Sequence, residues 1–229
     1  MNNVTEVVVE KSASLWMHWL GWIVTIIVPV VLVLTAVRIV LNPWVLHFEY
    51  NSPGFPADRY GFTKEERLYW SKIAVEYLLN PEGISFLGDL RFADGAPVFN
   101  ERELVHMVDV KNTVRKVILV WYLALGILLG FGFWAWKGGW WSVYRHGLGR
   151  GGWLTVFLIV GLLLFILLSF SVLFVTFHNV FFAPGTWTFN WNDTLIRLFP
   201  QRFWRDLFLI VGGLSLASGL MLGFGFRKR

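Results

Sequence analysis

The sequence predicts an all-α membrane protein: four transmembrane helices with an extracytoplasmic cap made from a long first outer loop and an aromatic-rich second one. Three observations predict it. The 229-residue chain is 56% hydrophobic and only 15% charged, with 14 Trp and 21 Phe, which lies outside ordinary globular usage. Four apolar stretches, at about residues 16–41, 117–136, 153–177 and 207–226, are each long enough to cross about 30 Å of hydrocarbon at 1.5 Å per residue. Lys and Arg are distributed unevenly among the connections, as membrane topology requires. The chain reads as a single integral domain, 1–229, with outer loops at about 42–113 and 178–206 and no internal repeats.

The first span is preceded by Glu6 and Glu10 instead of a basic segment, and it is too long for the core of a cleavable signal, so it reads as an anchor. Pro29 removes one backbone hydrogen bond and is expected to kink it. Arg38 is placed to snorkel to the outer surface. The first outer loop is too long to be an unstructured connection. In it Thr63 and Glu66 form a capping box. Trp70, Ile73, Ala74, Tyr77 and Leu78 then give the apolar stripe of an amphipathic helix ended by Asn80-Pro81. That stripe is expected to cover the bundle mouth or the lipid surface. Gly88, Asp94-Gly95 and Pro97 mark turns or short strands. Asn100, with Glu103 three residues on, starts a helix expected to continue through His106 into the second span.

Gly126 and Gly130 in span two, and Gly219 and Gly223 in span four, have the spacing of close helix packing in lipid. Between spans two and three the hairpin 137–151 holds Lys137, Arg145 and Arg150 with no acid, and the chain ends Arg227, Lys228, Arg229. This predicts cytoplasmic termini, with both large loops outside. The second outer loop is rich in Phe and Trp, which suits an interfacial belt or a cap over a lipid-like substrate. Asn192 or Asp193 is expected to cap a short helix there, closed by Pro200. Cysteine is absent, which excludes disulfides, thiolate metal sites and Cys nucleophiles. The net charge of +5 comes without a nucleic-acid-binding motif, so no nucleic-acid partner is expected.

Of five histidines, His18 and His146 read as interfacial or structural and His47 as a spare candidate. His106 and His178 lie 72 positions apart, yet each sits where an apolar span meets water, at one membrane face. His titrates near neutrality, so two converging on one interface suggest proton transfer. Asp109, at i+3 from His106, shares its helix face and can fix its tautomer, or else pair with Lys111 or Arg115. Asn179, after His178, is a donor suited to an oxyanion. Spacing alone does not decide between a chemical and a structural role. Two histidines on adjacent spans also suit a b-type haem, although both stand at helix ends, where a porphyrin would meet water. A metal site wants three or more ligands, and only His47 and scattered acids are available to complete one. No metal or cofactor is expected.

The strings Glu103-Leu104-Val105-His106-Met107-Val108-Asp109-Val110-Lys111 and Phe177-His178-Asn179-Val180-Phe181-Phe182 carry a family resemblance. So do Trp187, Asp193-Thr194-Leu195-Ile196 and Leu198-Phe199-Pro200. Over essentially its whole length the chain resembles the lipoprotein intramolecular transacylases, found mainly in Gram-positive bacteria. The resemblance implies an enzyme acting on bacterial lipoproteins with a diacylglyceryl-modified N-terminal cysteine. The acyl chain of the middle glyceryl carbon would move to the cysteine α-amine, giving an N-acyl lyso-form. It also implies a catalytic histidine dyad, carried onto His106 and His178. Asp109, Asn179, Lys111 and Trp187 stand beside that pair as candidates for binding or orienting substrate. The rival expectations are a non-enzymatic membrane component, such as a transporter partner or assembly factor, and a bis-His haem protein.

Overall fold

Thr63 and Asn100 each end a loop and start a helix, and both do so by the reciprocal bonding their spacing predicts. Thr63 Oγ1 accepts the Glu66 N–H at 3.1 Å while the Glu66 carboxylate accepts the Thr63 N–H at 2.8 Å. Asn100 and Glu103 repeat the exchange at 3.1 and 2.8 Å. Orphan N–H groups at a helix start are satisfied in this way. The computed structural model of the protein describes the backbone of residues 2–226 and the side chains of residues 16–226. Glu6, Glu10 and the basic tail Arg227, Lys228 and Arg229 lie outside the described side chains.

The element order is α1 (Asn2–Val40), α2 (Trp44–Tyr50), α3 (Lys64–Leu79), α4 (Ser85–Gly88), α5 (Glu101–Lys137), α6 (Trp141–Phe181), α7 (Thr194–Leu198) and α8 (Gln201–Gly225). Among the described residues the β structure is one isolated bridge, Arg91 to Pro97, around a turn whose Gly95 has φ +85°. The expected turns are therefore present between residues 83 and 97, together with the short α4. Four helices are long and apolar enough to cross a membrane: Trp16–Val40, Glu101–Lys137, Trp141–Phe181 and Gln201–Gly225. The 37 residues of α5 measure about 55 Å, well beyond the hydrocarbon thickness. Glu101, Arg102, Glu103, Asp109, Lys111, Arg115 and Lys116 crowd its first half, so that half stands outside the apolar span.

The chain forms two compact units. One contains residues 1–36, 119–163 and 211–229. Its core is Val24, Val28, Ala135, Trp140 and Tyr144. Here α6 approaches its neighbours through glycine. A Cβ on Gly147 would lie 2.8 Å from the Gly21 carbonyl, and one on Gly151 would lie 2.5 Å from Val28 Cβ. On the other side of α6, a Cβ on Gly152 would meet the Gly219 oxygen and Gly223 nitrogen at 2.6 Å. Thr25 Oγ1 bonds its own helix at Gly21 O (2.8 Å) and reaches Gly147 O at 3.4 Å. Of the two predicted glycine pairs, Gly219/Gly223 packs, whereas Gly126 and Gly130 have nothing within 4 Å. The predicted pairing at Gly126 and Gly130 is therefore absent, because both glycines face open space. The expected hairpin 137–151 is also shorter than predicted, because α6 already starts at Trp141.

The other unit contains residues 37–118 and 164–210. Its core joins Ala74, Tyr77, Leu87, Val98, Phe99, Met107, Leu195 and Leu198. The predicted stripe of α3 thus covers α4, the start of α5 and α7. Polar ties reinforce this core. Arg197 donates twice to Asp58, at 3.2 and 2.8 Å, and lies over the Phe62 ring at 3.6 Å. Thr194 Oγ1 donates to Val98 O at 2.6 Å, and Tyr50 donates to Leu198 O at 2.5 Å. Arg38 reaches Leu41 O at 3.4 Å, a cation at its own helix C-terminus. α1 stays helical across Pro29; the non-helical residue inside a long helix is Ser169 of α6, with φ −160° and ψ 73°.

Candidate functional site

Both candidate histidines belong to the second unit, and their rings meet. His106 sits in the second turn of α5, which Asn100 and Glu103 start. His178 sits in the last turn of α6. The imidazole centroids are 6.3 Å apart with planes 22° from parallel.

His178 has a fixed tautomer when neutral. Its Nδ1 lies 2.7 Å from the Phe174 carbonyl oxygen. A carbonyl oxygen can only accept, so Nδ1 carries the proton and Nε2 keeps a lone pair. His106 is 8% exposed, and its Nδ1 is buried without a hydrogen-bond partner among the described residues. Phe182 and Phe189 stand edge-on to the His106 ring at 4.9 and 5.3 Å. Phe182 also touches His178, at 5.5 Å. Phe174 and Trp187 flank His178 at 4.1 and 4.8 Å. This apolar surround disfavours burying an imidazolium, so the His106 ring is neutral at rest.

The loop carrying Phe189 is held in place from α5, one turn before His106. Glu103 is 1% exposed. One of its carboxylate oxygens completes the Asn100 box, and the other accepts the Leu195 N–H at 2.6 Å. It therefore caps α7 as well as its own helix. The expected cap of α7 by Asn192 or Asp193 is corrected accordingly. Asp193 occupies the N-cap position without a side-chain cap bond. Its carboxylate instead takes Asn100 Nδ2 at 3.0 Å, Arg102 at 3.1 Å and the Asn190 N–H at 2.8 Å.

The other predicted residues divide. Trp187 joins the pair, and its Nε1 is buried without a partner among the described residues. Asn179 follows His178 but is exposed. Lys111 is 3% exposed and is committed elsewhere, donating to Asn80 Oδ1 at 3.0 Å and Glu82 O at 2.7 Å over the Tyr77 ring at 3.9 Å. It clamps the end of α3 to α5. Asp109 neither orients His106 nor pairs with Lys111 or Arg115: its contribution among the described residues is a backbone carbonyl that accepts Thr113 Oγ1 at 2.9 Å. The His106 ring turns instead toward α6 and the aromatic loop. His47 is exposed on α2, and His18 and His146 fall in the first unit. No group of three or more His, Asp or Glu side chains that could hold a metal occurs among the described residues. Sequence reasoning placed Phe182 and Phe189 in the aromatic second loop without setting either against a histidine ring, and missed the second bond of Glu103. The spacing of His178 and Phe182, one helical turn apart, was the available signal for the former.

Residues 22–204 match the model of a family described as lipoprotein intramolecular transacylase Lit. An uncharacterized protein of Aquifex aeolicus is 31% identical over 209 residues, covering 88% of this chain and 90% of that protein. The chain is also similar to the solved structure of the membrane integral lipoprotein intramolecular transacylase Lit of Bacillus cereus. The TM-score is 0.73 at 24% identity, over 91% of this chain and 94% of the other. A variant of that protein with a histidine replaced by alanine gives a TM-score of 0.70 at 23% identity, over 95% and 96%. At these identities the structures establish the shared fold.

Proposed function

This chain belongs to the lipoprotein intramolecular transacylase family, and we propose that it carries out acyl transfer on lipoproteins with His106 and His178 as its acid–base pair. The observation that carries this is the approach of the two imidazoles to 6.3 Å, with the Nδ1 of His178 held by Phe174. The substrate is a lipoprotein whose N-terminal cysteine bears a diacylglyceryl group. Its α-amine attacks the carbonyl of the ester at the middle glyceryl carbon.

The pair supplies what that reaction lacks. An α-amine titrates at about 7.7–8, so near neutrality most of it is protonated and non-nucleophilic. His178 Nε2, with its lone pair free, takes the amine proton as the new C–N bond forms. The resulting imidazolium returns that proton to the glyceryl oxygen as the ester C–O bond breaks. His106 donates its ring N–H to the same oxygen as charge builds there. Acid–base assistance of this kind is worth roughly 10²–10⁴ in rate. Holding amine and ester within one bound molecule adds the intramolecular advantage. An ester becomes an amide and a free hydroxyl, so no external energy source is needed.

The basic residues Lys137, Arg145 and Arg150 between the second and third spans support a topology with both termini in the cytoplasm and the histidine pair on the outer side. The test replaces His106 or His178 with Ala and reads the N-terminal lipopeptides of a reporter lipoprotein by mass spectrometry, in a host without this activity. The unsubstituted chain is expected to yield the N-acyl lyso-form, and either substitution to reduce it at least about 10²-fold. Undiminished product from one variant would remove that histidine from the chemistry. A reporter left diacylated by the unsubstituted chain would favour a non-enzymatic role.

A further inference from the structure

Trp187 carries a donor beside the histidine pair for which the proton transfers above have no use. The chain leaves α6 at Phe181 and reverses direction in a tight turn at 183–186. There Thr186 bonds back to Ala183 O through both its N–H (3.2 Å) and its hydroxyl (2.9 Å), and Gly185 takes φ +84°. A positive φ is free for glycine and strained for other residues. The reversal sets the Trp187 indole against the His178 ring, with centroids 4.8 Å apart and planes at 39°. Its Nε1 is buried and has no partner among the described residues.

A buried indole N–H normally finds an acceptor, and leaving one unmade costs about 1–3 kcal/mol. Phe would cover the same face of His178 without that cost. The unmet donor therefore points to an acceptor that arrives with the substrate. Three atoms change charge in the transfer: the attacking nitrogen, the leaving glyceryl oxygen and the carbonyl oxygen. The histidines serve the first two.

We propose that Trp187 Nε1–H is the oxyanion donor, binding the carbonyl oxygen of the migrating acyl group as it becomes tetrahedral. The assignment rests on the acyl-transfer reading. As the amine nitrogen bonds to the carbonyl carbon, the C=O electron pair moves onto oxygen, where the indole N–H holds it. Collapse restores the C=O bond and expels the glyceryl oxygen, which takes up the proton the amine lost. Trp187 gains and loses no proton, so its contribution does not vary with pH. Fixed donors at such an oxygen act in the transition state more than in the ground state.

Two substitutions test this on the purified full-length enzyme with a diacylglyceryl lipopeptide. Trp187→Phe removes the donor together with part of the ring. Site-specific replacement of Trp187 by 3-benzothienylalanine keeps the bicyclic shape and exchanges only N–H for sulfur, so it separates bonding from packing even where the Phe variant folds poorly. The expected result for the benzothienyl variant is a fall in kcat on the order of 10²-fold, with KM and the pH profile unchanged. Wild-type kcat in that variant, or a change confined to KM, would overturn the assignment and leave Trp187 as packing. Absence of lyso-form from the unsubstituted enzyme would instead overturn the acyl-transfer reading, and this assignment with it.

Discussion

Glu103 accepts the backbone N–H of Leu195 at 2.6 Å, across 92 positions of sequence. The same carboxylate closes the Asn100 capping box at 2.8 Å. One buried acid thus starts the helix that carries His106 and pins the loop that brings Phe189 against it. Replacing Glu103 by Ala leaves two N–H groups unsatisfied, each worth about 1–3 kcal/mol. The expected outcome is a lower unfolding temperature and reduced lyso-form yield. Glu103→Gln, whose amide oxygen can still accept one of the two N–H groups, should lie between. Thermal unfolding in detergent alongside lipopeptide mass spectrometry checks both, and wild-type stability in the Ala variant would contradict the double cap.

The rate should rise with pH through the range of the substrate amine, about 7.7–8, and flatten above it. Initial rates of lipopeptide conversion from pH 6 to 9 measure this. A flat profile would mean that loss of the amine proton does not limit the reaction.

Asp58 and Arg197 give an acid limit to the second unit. Burial by itself raises the Asp58 carboxyl. The hydrogen bonds from Arg197 and from the N–H groups of Phe62 and Tyr60, with the guanidinium charge, outweigh it and hold the group below the usual carboxylate range. A depressed folded value contributes stability that is fully present above the unfolded value, about 3.9, and is lost as pH falls through the folded one. Stability should therefore be insensitive to this pair at neutral pH and decline only under strongly acidic conditions. Asp58→Ala strands a half-buried guanidinium and should cost roughly 3–5 kcal/mol at pH 7, read as a drop in unfolding temperature that shrinks as the pH falls below 4.

The glycines make opposite predictions within the first unit. Gly151→Val drives its side chain into Val28 and the Thr25 carbonyl, at 2.5 and 3.0 Å from the Cβ alone. Overpacking of this kind costs about 1–3 kcal/mol or more. Gly126→Ala and Gly130→Ala meet nothing within 4 Å and gain up to about 1 kcal/mol of helix propensity each. Unfolding temperatures that moved the same way in all three variants would contradict the packing described.

Features written in local spacing were legible in the sequence: the Thr63 and Asn100 caps, the four apolar spans, the α3 stripe and two histidines near the ends of their helices. What depended on partners distant in sequence was not. The GxxxG spacing is identical at Gly126/Gly130 and Gly219/Gly223, and only a neighbouring helix decides which pair packs. Asp193 has the composition of a cap, yet Glu103 supplies that bond from another helix, leaving Asp193 to Asn100, Arg102 and Asn190. Asp109 has the right spacing for His106, but a ring drawn toward Phe182 and Phe189 turns away from it. Nothing in the sequence around Ser169, amid Leu and Phe, announces the break in α6.

The phenyl walls around the imidazoles bear on what leaves the enzyme as product. An ester held against a general base is open to hydrolysis as well as to aminolysis, and bulk solvent outnumbers a single tethered amine. Phe174, Phe182, Phe189 and Trp187 crowd the two rings, and on the acyl-transfer reading such apolar surfaces leave little room for water as a competing nucleophile. The acyl chain then ends on nitrogen rather than being shed as free fatty acid, and the lipoprotein keeps both of its membrane anchors.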